Sequence, residues 1–287
     1  MYSEMKIIRV FPSRTPMTPK DDYAFVGDPP MMRPEADEVH ISVTFTWDLS
    51  KAERLSKAWA QYYPVVRVGG PALNSPSNGF EPGLYVRDGV TFTSRGCKSN
   101  CPWCFVPERE GKLKEMAIHS GYIIQDNNLL QCSNSHINQV FIMLSKQRQA
   151  DFSGGLDPSW LTAEIADRLR NLSLHQLFLS CDSKGALPIL KKALAKLTGF
   201  TRQQLRCYVL IGYQGETKSE AIARLQDVWH TGCMPFAQLY QPKSNRRLRY
   251  DLEWRDLARF WSRPAIMKTA MRNHPRWSKY GAEAITD

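Results

Sequence analysis

The chain has 287 residues, 43% of them hydrophobic and 23% charged, enough to bury at least one full core and unlike a disordered tail or a disulfide-stapled miniprotein. Lys and Arg number 38 against 28 Asp and Glu, a net charge of +10, which favours an acidic partner such as nucleic acid. No apolar run approaches the ~18 residues of a membrane span. The opening MYSEMKIIRVFPSRTP has no apolar signal segment, so a soluble, cytoplasmic protein is expected.

Neither a fixed-period repeat nor a low-complexity block is visible, which removes solenoids and linker-dominated chains. Met5 to Pro12 and Glu38 to Trp47 read as strands rich in β-branched and aromatic residues. Ser50 and Glu53 have capping-box spacing ahead of a helix that puts Ala52, Leu55, Trp59 and Tyr62 on one face. Pro64 to Gly70 reads as a third strand. Strand, helix, strand predicts a small parallel α/β layer, and Pro71 to Gly83, rich in Pro, Asn, Ser and Gly, predicts a linker that completes an N-terminal unit of residues 1–88.

From residue 89 strands and helices alternate. The strands are Gly89 to Ser94, Gly121 to Asp126, Ala150 to Gly155, Gln176 to Asp182, Leu205 to Tyr213 and Phe236 to Pro242. The helices are Ile137 to Gln147, a segment with Leu161, Ile165, Leu169 and Leu172 on one face, Leu187 to Leu197, and Glu220 to Thr231. This α/β pattern predicts an open or partial (β/α)6 barrel over residues 89–242 ahead of a doubly wound sheet, and either fold places its site at the carboxyl ends of the strands. Residues 243–287 carry 11 Lys and Arg against 5 Asp and Glu. Leu252, Trp254, Leu257, Phe260 and Trp261 predict a short helix packed by one face in this basic extension, with Arg246, Arg247, Arg249, Arg255 and Arg259 in water. A solvated face and a nucleic-acid surface both fit those arginines.

Three of the seven cysteines fall within eight residues, Cys97, Cys101 and Cys104, spaced C-x3-C-x2-C just after a predicted strand. That points to metal ligation in a reducing compartment rather than to disulfides. A structural zinc asks for four ligands, and no fourth lies at finger-like spacing. Three thiolates can instead hold three irons of a 4Fe-4S cluster and leave the fourth open. With Trp103 the stretch reads C-x3-C-x-aromatic-C, which resembles the cluster motif of the radical S-adenosylmethionine superfamily. The resemblance covers roughly Gly89 to Pro242. It implies that S-adenosylmethionine chelates the open iron and that one electron, from a donor such as a flavodoxin or ferredoxin, cleaves it to methionine and a 5'-deoxyadenosyl radical that abstracts a substrate hydrogen.

Within that resemblance, the turn that binds the methionine amino group is met either by Asp126 and Asn127, favoured by strand order, or by Gly154-Gly155 one strand later. Asp157, before Pro158, also reads as an N-cap. The run IGYQGET resembles the G-x-P-G-E-T turn of radical methylthiotransferases and related barrels, with Gln214 in place of the proline; Gly212 and Gly215 would allow close approach to adenine, while Thr217 and Glu220 form a capping box. Ser180 and Asp182 can reach the ribose or carboxylate, a helix cap being the rival for Asp182. Cys132, Cys181, Cys207 and Cys233 are scattered and read as buried apolar residues, with Cys181 at a strand's catalytic end, and His136 reads as a helix-start residue. The N-terminal layer with Gly69 to Ala72 looks like the Rossmann-like domain before the barrel in methylthiotransferases and cobalamin-dependent members. The D-x-H-x-x-G loop of cobalamin binders and the extra cysteines of methylthiotransferases are absent from it. The expectation is a radical S-adenosylmethionine enzyme acting on an unknown substrate that leans to RNA or a nucleotide base. The alternative is a non-catalytic iron-sulfur redox sensor or nucleic-acid-binding module.

Overall fold

A computed structural model describes residues 5–73, 80–243, 247–270 and 279–281. Two parallel sheets organise the chain, each with its own apolar core. The first holds β1 (Ile7–Phe11), β2 (Ala24–Val26) and β3 (Glu38–Ser42), then helix α1 (Leu49–Trp59) and β4 (Val66–Gly69), with strand order β2-β1-β3-β4. Alternation along the strands buries Ile8, Val10, Val39 and Ile41 against Ala52, Leu55 and Trp59 of α1, as period-2 and period-3.6 patterns facing each other require. The three-residue β2 is too short to show alternation and was not expected. The helix starts earlier than its predicted box. Asp48 occupies the N-cap position, its carboxylate accepting from the Ser13 hydroxyl at 3.2 Å rather than from a helix amide, so Ser50 and Glu53 fall inside the first turns. Tyr62 lies past the helix end and is 51% exposed.

Beyond residue 89 come β5 (Val90–Thr91), an unforeseen antiparallel pair of β6 (Ser94–Arg95) and β7 (Lys114–Glu115) enclosing α2 (Val106–Arg109), and then β8 (Ile123–Ile124). The series continues as α3 (Asn134–Ser145), β9 (Ala150–Phe152), α4 (Ala163–Arg170), β10 (Leu174–Ser180), α5 (Leu187–Leu194), β11 (Leu205–Ile211), α6 (Lys218–His230) and β12 (Met234–Leu239). The sheet order is β12-β11-β10-β9-β8-β5, every neighbour parallel. Consecutive order without a reversal is not that of a doubly wound sheet. Leu177, Leu179, Cys207, Val209 and Ile211 are buried in the main apolar core with residues of the helices. Alternate residues turn the other way, where Phe178 stacks on Tyr208 (4.4 Å, 22°) and Phe236 meets Tyr208 edge-on (5.4 Å, 86°).

Helix α6 carries the predicted capping box, with Thr217 and Glu220 each accepting the other's backbone N–H. Helix α7 (Leu252–Ser262) packs against β12 and α6, burying Leu257, Phe260 and Trp261 and leaving Arg255 and Arg259 exposed. Leu252, expected on the buried face, is 64% exposed at the helix start. A last helix, α8 (Pro264–Ala270), follows. Arg246 lies outside the described residues, among which no helix is long and apolar enough to cross a membrane.

Candidate functional site

A cavity of about 2180 Å³ opens at the carboxyl ends of the six-stranded sheet. Cys97, Cys101 and Cys104 line it from the loop between β6 and α2, all three half-buried and unbridged. The Ser99 N–H points at the Cys97 sulfur and the Val106 N–H at the Cys104 sulfur, both at 3.4 Å. Burial pushes the Cys101 thiol up, and Cys104 and Cys97 beside it add to the shift. At Cys104 burial again dominates, opposed by the Val106 N–H. Thiols gathered on one loop suit a cationic centre, which deprotonates a coordinating thiol outright.

The loop is braced from the segment after β8. Thr93 gives its N–H and hydroxyl (2.6 Å each), and Ser94 its hydroxyl (2.7 Å), to the buried Asp126 carboxylate. Burial raises the Asp126 pKa and these hydrogen bonds pull it back. Asn127 accepts the Gly96 N–H at 2.9 Å. Gln131, buried and not anticipated, accepts the Lys98 N–H at 2.7 Å and donates to the Ser99 hydroxyl at 3.0 Å. The side chains of Asp126 and Asn127 therefore hold the cysteine loop. The rival Gly154-Gly155 turn lines the cavity beside them, and a Cβ on Gly154 would sit 2.6 Å from the Asp126 carbonyl oxygen. Asp157 does act as an N-cap, accepting the Ser159 N–H at 2.9 Å, while also lining the cavity.

Trp103, Ser180 and Asp182 all face the cavity. Asp182 is no helix cap: it accepts the Leu210 N–H at 3.1 Å, tying β10 to β11. Burial pushes its carboxyl up, against the Leu210 N–H, the Arg224 charge and the Trp103 indole. Gly212 does not line the cavity. It lies under Tyr250, whose ring would be 3.0 Å from an added Cβ. The turn there is a clamp: Glu216 accepts the Gly212 N–H at 2.8 Å and pairs with Arg224 at 2.6 Å, and Arg224 donates to the Cys181 carbonyl at 3.2 Å. Gln214 has φ +50°, which the proline of the resembling turn cannot adopt. The clamp residues Glu216 and Arg224 escaped sequence reasoning because neither shows its partner locally.

Tyr208, Gln238 and Tyr240 also line the cavity, with Gln125 hydrogen-bonded to the Ser153 hydroxyl at 2.6 Å. Lys243, just past β12, pairs with Glu108 of α2 at 2.7 Å and closes the cysteine loop against the last strand. Cys132, Cys181, Cys207 and Cys233 are buried, and burial pushes the Cys132 and Cys181 thiols up to about 11. His136 sits in the first turn of α3, 3.9 Å from Glu115. Among the described residues no three His, Cys, Asp or Glu side chains converge as a single-ion site requires.

Neither a family model nor a curated relative matches the sequence. The fold is similar to that of a solved radical S-adenosylmethionine methyltransferase, TsrM from Kitasatospora setae, whose structure has cobalamin and a 4Fe-4S cluster bound. The TM-score is 0.57 at 11% identity, covering 81% of this chain and 74% of that one. At that identity the likeness is one of fold: a mixed α/β chain with parallel sheets.

Proposed function

We propose that the protein is a radical S-adenosylmethionine enzyme: a partial (β/α)6 barrel over residues 89–242, a Rossmann-like layer and linker over 1–88, and a basic extension over 243–287. The observation that carries this reading is the position of Cys97, Cys101 and Cys104 on one loop after the first strand of a consecutively ordered parallel sheet, lining a cavity at the strand ends. The residues fit a cluster better than a lone ion. No tight single-ion triad exists among the described residues, whereas a cluster takes each thiolate on a different iron. When bound, the cluster would supply the electron that cleaves S-adenosylmethionine to methionine and a 5'-deoxyadenosyl radical.

The chain's own residues then do the positioning. The Gly154-Gly155 turn, whose N–H groups are held by the Ile124 and Phe152 carbonyls, offers its carbonyl oxygens to the amino group of the methionine end, and Asp182 and Ser180 offer acceptors to an amino or ribose group. Trp103 covers the cysteine side, and Tyr208, resting on Phe178 and Phe236, closes the floor against water. Asp126 and Asn127 serve by holding the loop, and Gly212 by seating the Glu216 clamp. Cobalamin, present in the similar structure, is not part of this proposal. His40, the only histidine before residue 89, lies inside β3 with its ring nitrogens hydrogen-bonded to Tyr85 (2.6 Å) and Glu38 (2.7 Å). Basicity makes RNA or a nucleotide base the favoured substrate.

Anaerobic reconstitution with iron and sulfide tests the cofactor directly. Four irons and four sulfides per chain, reduced to background in Cys97→Ala, is the expected result. One zinc and no sulfide would remove the enzyme reading and leave a zinc-built binding module.

A further inference from the structure

The cavity that the cysteines line carries charged side chains of both signs. Its acids, Asp126, Asp157 and Asp182, lie at or just beyond the strand ends and are each hydrogen-bonded within the protein. Its arginines, Arg247, Arg249 and Arg255, lie on the segment after β12 and in α7, and all three are exposed. Of the carboxylates nearest in sequence, Asp251 and Glu253 pair with Lys218 and Asp256 accepts from the Tyr280 hydroxyl at 3.5 Å. Among the described residues none of the three arginines has an acidic partner.

Two aromatic rings stand with them. Phe45 and Trp47 follow β3, and their rings lie 4.6 Å apart and only 6° from parallel. Trp47 lines the cavity, keeps 37% of its surface exposed, and has the Arg247 guanidinium 4.9 Å from its ring centre. In a sheet of order 2-1-3-4 the carboxyl ends of β1 and β3 form the crevice where ligands sit, so this shelf stands at the binding end of the first sheet as the cysteines stand at that of the second. Unpaired cations beside an exposed flat ring match a ligand that repeats phosphate and base, since stacking and phosphate contact together hold single strands. A duplex keeps its bases stacked on each other and offers none to the shelf.

We infer that the cavity mouth binds single-stranded nucleic acid, with phosphates on Arg247, Arg249 and Arg255 and one base stacked on the Phe45–Trp47 shelf, so that a neighbouring unstacked base enters toward the strand ends. This deepens the radical-enzyme reading and rests on it for what happens to that base. The test is fluorescence anisotropy with short labelled single strands of RNA and DNA, the matching duplex, and a nucleoside monophosphate as competitor, over a range of salt. The single strand is expected to outbind the duplex. Each lost phosphate contact removes about 0.7 from the salt slope of single-strand binding, so the triple variant Arg247→Gln, Arg249→Gln, Arg255→Gln should flatten it by about 2. Trp47→Ala should weaken binding at least about fivefold with the slope kept, and Trp47→Phe should restore it. An unchanged slope in the triple variant, equal binding of duplex, or displacement by the monophosphate as readily as by the strand would overturn the inference. The wild-type comparison of strand with duplex needs no variant to fold. Deoxyadenosine formation by the wild type, assayed separately, divides the two claims: cleavage without strand binding removes this inference alone, and strand binding without cleavage removes the radical reading alone.

Discussion

Asp126 shows what a strand-end carboxylate can be for. Expected by strand order at the methionine end, it lines the cavity, and its carboxylate collects three donors from Thr93 and Ser94 at 2.6–2.7 Å, fixing the start of the cysteine loop. Its position at the sheet's carboxyl end was legible; its partners, 32 and 33 residues upstream, have no local signature. Asp126→Ala should cost about 3 kcal/mol or more, since hydrogen bonds to a buried charge are worth about 1.5–3 kcal/mol each. The variant should also hold less iron after reconstitution, read by denaturant unfolding and iron assay. Tyr208 gives a pH signature. Burial holds its hydroxyl neutral, with the pKa raised to about 12 from 10.0. The unfolded chain ionises first, so the contribution of this group is complete below pH ~10 and disappears as pH rises through ~12. Unfolding followed by circular dichroism should show stability falling across that window less steeply in Tyr208→Phe than in the wild type.

At the scale of elements, helices announced themselves best. The apolar faces Ile165–Leu169 and Leu257–Phe260–Trp261 and the Thr217–Glu220 box occur where periodicity and capping rules put them. Strands β5 and β8 shrank to two residues each because the chain beyond them, read as extended, leaves the ladder to build the cysteine loop and its brace. The IGYQGET turn was visible as a turn, but its geometry was not. Gln214 holds φ +50° between two glycines at +75°, a left-handed residue that costs roughly 1 kcal/mol outside glycine. Gln214→Gly should therefore stabilise the protein by about 1 kcal/mol. Gln214→Pro should destabilise it by about 2 kcal/mol or more, since the ring forbids that φ and releases Glu216 from its clamp; thermal unfolding of the pair checks both signs. Gly154→Ala meets the Asp126 backbone at 2.6 Å, so loss of stability and of bound iron should appear together in that variant.

Among the described residues the two parallel sheets meet at one cavity, lined both by Trp47, just past β3 of the first, and by the cysteines beside the second. Alternating strand and helix signals foretold the consecutive order of the second sheet. The meeting of the layers could not be read from sequence, because it depends on contacts such as Arg247 with Trp47 between segments 200 residues apart. Three arginines of the basic tail, Arg247, Arg249 and Arg255, line this cavity. One assay tests the proposed radical chemistry at the cysteine wall directly. The reconstituted protein is reduced anaerobically with dithionite in the presence of S-adenosylmethionine and a single-stranded oligonucleotide, and 5'-deoxyadenosine is quantified for the wild type and Cys101→Ala. Product is expected from the wild type and none from the variant. A wild-type protein carrying four irons that forms no deoxyadenosine, or equal product from Cys101→Ala, would contradict that chemistry.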